Sequence, residues 1–405
     1  MTNQLNSALK NSFFEKENGI RIPLSIPQIS GNEWKYVKEC LDTGWVSSAG
    51  QFVGRFEQCL ADYIGRKYAV ACINGTAALH IALLVAGIQP EDEVIIPALS
   101  FIAPANAVRY VGAWPVFLDI SADLWQLDCQ KLADFITKEC EYKNGRLKNR
   151  HTKRYVKAII PVHVLGHPVD MYPLLKLAEK YNLVIIEDAA ESLGACYHSK
   201  RVGSLGDVAC FSFNGNKTIT SGGGGMILTD REEWAQRARY LTTQAKDDEE
   251  EYIHNEIGFN YRLSNVQAAL GLAQLERLDH YVDIKRNIAR RYAAGLKDVA
   301  GLTLPQEASW VDSIFWLYTI LVEEKSYGIN SRKLLSVLKD AGIQTRSLWH
   351  PLNTLKPFLK CFSYQVEVAQ RIYEKGLSLP SSIGLSENQQ NEVIKMIQEN
   401  NVEWR

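Results

Sequence analysis

Residues 208–229 read Val208-Ala-Cys-Phe-Ser-Phe-Asn-Gly-Asn-Lys217-Thr-Ile-Thr-Ser-Gly222-Gly-Gly-Gly-Met-Ile-Leu-Thr229. An apolar run of strand type, 208–213, opens the stretch, and another, 226–228, closes it. Between them stand Lys217, three hydroxyl residues and four consecutive glycines. An amine in a glycine-walled turn between two core strands is poorly placed as a surface charge. It is well placed to bond covalently to a carbonyl. Taken alone, the same stretch also reads as a flexible loop carrying a solvated lysine, so the rest of the chain has to decide.

Outward from this stretch, strand-like runs recur at 68–73, 93–96, 115–118, 158–164 and 183–187, and helical patterns fall between several of them, at 77–86, 103–111 and 171–181. The last has Asp170 as a cap and Pro173 in its first turn. The strands are continuous apolar runs more than alternating ones, as a sheet covered on both faces requires. This predicts an α/β fold with a mostly parallel sheet flanked by helices. Two helices precede it. One, over 32–41, places Trp34, Val37 and Leu41 on one face; the other, over 51–64, repeats the pattern with Phe52, Phe56, Leu60 and Ile64.

Residues 1–25 read as an N-terminal arm, and the basic segment 142–155 as a solvated loop or hairpin. From Leu263 a long helical pattern runs towards Tyr292 and into a second unit. That unit has strands near 314–322 and 343–348 and helices near 332–341, 366–374 and 387–399. The expected division is the arm at 1–25, a large domain at 26–280 and a smaller α+β C-terminal domain at 281–405.

Composition excludes several function classes. The chain has 405 residues, 46% hydrophobic and 22% charged, with 45 basic and 46 acidic side chains and a net charge of −1. That balance offers no general attraction for nucleic acid or an anionic membrane. No apolar run reaches the roughly 18 residues that span a bilayer, and the polar start lacks the apolar core of a signal peptide. Eight cysteines without a Cys-x-x-Cys pair read as reduced thiols of a cytoplasmic protein. His163 and His167 are four apart, but Gly166 and Pro168 argue against a helix presenting them to a metal.

In parallel α/β sheets, ligands bind at the carboxyl ends of the strands, and three strand ends here carry unusual residues. After 68–73 comes Asn74-Gly75-Thr76-Ala77, opening a helix. Free N–H groups and a hydroxyl there suit a phosphate, or simply an ordinary cap. After 183–187 comes Asp188, a carboxylate that is costly to leave unpaired. A cap, an internal arginine or a ring-nitrogen cation would each suit it; at about 4 Å and an effective dielectric near 20 the last is worth about 4 kcal/mol. After 93–96 comes Pro97-Ala-Leu-Ser-Phe101, whose ring can cover a planar group. A phosphate cradle, an aromatic cover, a deep aspartate and then a lysine, in that order, are the groups needed to hold pyridoxal phosphate.

At these residues the chain resembles the DegT-type sugar-nucleotide aminotransferases, which have the aspartate aminotransferase-like (fold type I) architecture. The resemblance runs from about Ile22 to the C-terminus. It rests on Asn-Gly-Thr-Ala-Ala-Leu (74–79), Glu-Asp-Ala-Ala-Glu (187–191), Phe-Ser-Phe-Asn-Gly-Asn-Lys (211–217) and Gly-Phe-Asn-Tyr-Arg-Leu-Ser-Asn (258–265). It implies that Lys217 carries pyridoxal 5'-phosphate, with the pyridoxamine form between the two halves of the reaction. Asp188 pairs with the ring nitrogen, and Gly75, Thr76, Ala77 and Ser212 hold the phosphate. Glu191 stands where the family often has glutamine. The resemblance also implies a homodimer with shared sites, Asn260 touching the phosphate and Arg262 the nucleotide sugar across the interface. His163 and His350 are further candidates for the sugar, with a core or surface histidine as the alternative for each.

Gly-Asn-Glu-Trp-Lys-Tyr-Val (31–37), Thr-Gly-Trp-Val-Ser-Ser (43–48) and the four glycines are similar to the bacillosamine and legionaminic acid branch. That likeness implies a UDP-linked 2-acetamido-2,6-dideoxy-hexos-4-ulose aminated at C4 with L-glutamate, a GDP- or dTDP-linked 4-keto-6-deoxyhexose being the alternative. A nicotinamide-dependent oxidoreductase is disfavoured by the missing Gly-x-Gly-x-x-Gly after the first strand, and a non-catalytic protein on this fold by the retention of Lys217.

Overall fold

The computed structural model describes residues 19–248 and 250–402. Eight strands lie side by side in the order Tyr68–Cys72, Gly225–Thr229, Val208–Ser212, Val184–Asp188, Tyr155–Ile159, Glu93–Pro97, Trp114–Leu118 and Ser363–Tyr364. All neighbours pair in parallel except Gly225–Thr229, which is antiparallel to both of its partners. The reason is local. The connection 213–224 that carries Lys217 contains no helix, and a parallel return usually runs through one.

Alternate residues of the central strands enter different cores. Val94 and Ile96 pack into one apolar cluster, while Ile95 packs into another on the opposite face. A strand covered on both sides must be apolar at every position, which is why these strands read as unbroken runs. The helices Gly75–Val85 and Met171–Tyr181 follow strands in the expected places.

The C-terminal part has its own antiparallel sheet, ordered Leu302–Thr303, Thr319–Val322, Gly376–Ser378, Arg346–Ser347. Its core joins Tyr318 and Ile320 to Ile288 and Tyr292 of the helix Leu278–Leu296 and to Val393 of Glu387–Glu399.

Several local expectations are corrected. The pattern from Leu263 is two helices, Asn265–Leu275 and Leu278–Leu296, the first started by a Ser264–Gln267 capping box. The strand expected at 158–164 ends at Ile159, before Pro161. The strand expected at 314–322 begins only at Thr319, because Phe315 holds a left-handed backbone (φ 46°). The basic segment is an antiparallel hairpin, Cys140–Lys143 with Arg146–Asn149, that pairs with the Tyr155–Ile159 strand. Of the arm expected at 1–25, residues 1–18 lie outside the described residues. The rest is docked: Ile22 is buried, its N–H donates to Gly342 O, and it bridges to Ile343.

Candidate active site

The carboxyl ends of the strands surround a cavity of about 340 Å³, lined among others by Gly75, Phe101, Asp188, Ser212, Lys217 and Trp316. Asp188 is the last residue of its strand, in register with Cys210 of the neighbouring one. Asn74 caps the next helix, its Oδ1 accepting the Ala77 N–H at 2.8 Å. The helix start and Ser212 approach so closely that a Cβ on Gly75 would lie 2.8 Å from the Ser212 Cβ. Only glycine fits there.

Lys217 sits on a turn closed by its own N–H to Asn214 O at 3.0 Å. Its Nζ lies 3.6 Å from Glu191 Oε1 and 4.1 Å from the centroid of the Trp316 ring. Asp188 and Glu191 are both buried, and loss of solvent pushes both carboxyls above their usual range. Lys217 works in the opposite direction on each, as do the Ala190 N–H on Asp188 and the Leu165 N–H on Glu191. Two buried carboxyls facing one amine leave room for another cation, which a protonated pyridine nitrogen would supply. At the other end, the N-terminus of Gly75–Val85 with the Thr76 and Ser212 hydroxyls suits an anion. Among the described residues, the buried Ser100 Oγ in the cavity wall has no hydrogen-bond partner. These residues fit pyridoxal phosphate.

Five candidate positions lie outside this cavity, two of which, Asn260 and Arg262, are expected to act only across an interface. The Ala77 amide is taken by Asn74, and its expected phosphate contact is corrected to the cap. His163 is fully buried: the Val169 N–H donates to its Nδ1 at 3.1 Å, and its Nε2 meets Glu187 Oε2 at 3.2 Å. With both ring nitrogens satisfied inside the core, it is a histidine of the sheet's interior and not of the sugar site. His350 is exposed and bonds Tyr373 Oη at 2.6 Å, whereas its neighbour Trp349 lines the cavity.

Asn260 is exposed outside the cavity, in a single bridge with Thr243. Arg262 turns into its own chain, where Nη1 meets the buried Glu57 Oε1 at 2.5 Å. Glu57 also accepts from the Ala71 N–H and from Arg239, so it needs these cations to be tolerated inside the fold. The role expected of Arg262 lies across an interface between two copies, and within one chain its partner is Glu57.

Three cavity residues were not anticipated: Trp316, Arg346 and Trp349. All come from the C-terminal part, and no motif near them announces a site.

Among the described residues, no helix is long and apolar enough to cross a membrane. The model of the DegT/DnrJ/EryC1/StrS aminotransferase family matches residues 27–398. The chain is 41% identical over 377 residues to a GDP-perosamine synthase of Caulobacter vibrioides, covering 92% of this chain and 96% of that one. It is 37% identical to a GDP-perosamine synthase of Escherichia coli O157:H7, covering 91% and 95%. Among solved structures it is similar to the PLP form of Spr1654 from Streptococcus pneumoniae, with a TM-score of 0.85, 26% identity, and 95% and 99% of the two chains covered.

Proposed function

The chain belongs to the DegT/DnrJ/EryC1/StrS family of pyridoxal phosphate-dependent sugar aminotransferases, and from that premise we propose that it aminates C4 of a GDP-linked 4-keto-6-deoxyhexose with L-glutamate as donor. The observation that carries the reading is Lys217, an amine in a cavity with the buried carboxyls of Asp188 and Glu191. The relatives named for a GDP-linked sugar favour GDP over the UDP-linked sugar that the short motifs implied.

Pyridoxal phosphate supplies an aldehyde to receive the amino group and a ring that withdraws electrons. Lys217 is the residue to hold it, with Gly75, Thr76 and Ser212 at the phosphate and Phe101 covering the ring from the cavity mouth. Asp188 keeps a proton on the ring nitrogen, because a carboxylate beside a buried cation holds that cation's charge. The Lys217 Nζ would take the proton from the carbon that bears the donor's amino group and return it at the carbon on the other side of that nitrogen. The same two transfers run in reverse at the sugar's C4. Glu191, 3.6 Å from the Lys217 Nζ, would orient the amine.

Two copies pair in this reading. Support comes from an apolar face without cover in one chain: Trp34, Leu41, Trp45 and Val46 are all exposed.

The test is amination of purified GDP- and UDP-linked 4-keto-6-deoxy sugars with glutamate, following 2-oxoglutarate and the amino sugar. Preference for the GDP sugar is expected. Turnover of the UDP sugar alone would replace the nucleotide assignment, and no turnover of any nucleotide sugar would remove the reading.

A further inference from the structure

Lys285, in the middle of the helix Leu278–Leu296, is 2% exposed. Among the described residues no carboxylate pairs with it. Instead its Nζ donates to two backbone carbonyls, Trp316 O at 2.8 Å and Ser381 O at 2.5 Å. Burial pulls this amine down to about 7. A lysine is a costly way to join two carbonyls in a core, which directs attention to what those carbonyls carry.

Trp316 is held at three further points. Its N–H donates to Leu165 O at 2.9 Å, its indole Nε1 to Asn216 O at 2.8 Å, and its ring faces Lys217 Nζ. The Leu165 N–H in turn donates to Glu191 Oε2 at 2.9 Å. Phe315 and Leu165 both hold left-handed backbones, at φ 46° and 59°. Such strain at bulky residues persists only where the surroundings over-determine it. Ser381, the other carbonyl, fixes the same segment from behind: its Oγ accepts the Tyr318 N–H at 3.0 Å, and its N–H donates to Leu24 O at 2.7 Å.

We propose that Lys285 is a positioning residue for the transamination, a buried amine that anchors Trp316 so that its indole stays over Lys217. The face of an indole attracts a cation, so its placement, with Glu191, fixes where the Lys217 Nζ sits. The proposal rests on Lys217 being the reactive amine. If that reading fails, Lys217→Ala keeps its turnover, a result separate from those below.

The test is a cycle of wild type, Lys285→Met, Trp316→Leu and the double variant, each as holoenzyme. It reads kcat, KM for glutamate, and the pH midpoint of the bound cofactor's visible band. Lys285→Met should lower kcat about tenfold, with KM changed less than about twofold. The midpoint should fall by about 0.5 unit as the indole stops favouring the protonated nitrogen. Trp316→Leu should do the same, and the double variant should be no worse than Trp316→Leu, because the lysine acts through the tryptophan. Losses that multiply in the double variant, or an unmoved midpoint in Lys285→Met, overturn the proposal. Should Lys285→Met not fold, the anchored ring carries the test: a folded Trp316→Leu with unchanged kcat and midpoint overturns the proposal equally.

Discussion

Lys217 and Lys285 are both withdrawn from solvent, and what surrounds each amine differs. Lys217 faces the Glu191 carboxylate, an indole and a cavity of about 340 Å³. Lys285 faces two carbonyl oxygens, and it is not in that cavity's wall. A carbonyl can accept a hydrogen bond but cannot exchange a proton, and a packed wall admits no reactant. Burial by itself therefore makes an anchor. A void on one side and titratable neighbours on the other make an amine that can react.

The sharpest way to break this contrast is to delete each amine. Lys217→Ala should lose about four orders of magnitude in turnover with little change in melting temperature, against the tenfold expected for Lys285→Met. Similar losses for both, measured as 2-oxoglutarate release, would dissolve the distinction. Asp188→Asn comes next. It keeps the shape and removes the charge, and should cost about a hundredfold to a thousandfold in kcat. Near-normal turnover would make Asp188 a structural strand end.

The anchor's own signature is in stability. Lys285 holds a proton only below about 7 in the folded chain, far under the ordinary lysine value of 10.5. Between pH 7 and about 10 the unfolded chain therefore binds a proton that the folded one does not, and stability rises with pH through that window. Relative to Lys285→Met, the wild type should gain roughly 2 kcal/mol or more from pH 7 to 10 in denaturant unfolding. A flat difference would show the amine still charged throughout. The smallest effect is expected at Glu191→Gln. The amide keeps a hydrogen bond towards Lys217, so kcat should fall less than about tenfold. A larger loss would make Glu191 a proton-handling group and draw the two lysine sites further apart.

Much of the site could be read before any coordinates. Lys217, Asp188, Gly75, Thr76, Ser212 and Phe101 all meet at one cavity, because each stands at or just beyond a strand end and parallel strands bring those ends together. The helices Glu33–Thr43 and Gln51–Ile64 show where such reading stops. Both have an apolar face by period. Phe52, Phe56, Leu60 and Ile64 are buried as that face suggests, whereas Trp34 and Leu41 are 76% and 62% exposed. In the first helix Tyr36, Cys40 and even Glu33 face inward instead, Glu33 accepting from Gln274 Nε2 and the Gly31 N–H. Periodicity marks a face that avoids water and carries no record of what covers it.

By itself, then, the sequence determined most strands of the large sheet and the order of reactive residues along them, since strand period is a property of a few consecutive residues. The Asp170 side chain, expected as a cap, accepts from Tyr197 Oη instead. Only the tertiary structure decided which distant side chains share a neighbourhood. Arg262 settles on Glu57, 205 positions away. The ring of Trp316, which stands just before the strand Thr319–Val322 of the second sheet, reaches Lys217. His163 is spent on Glu187 inside the core. A buried charge or ring nitrogen takes whichever partner lowers its desolvation cost most, and that competition is settled between chain segments that no local pattern connects.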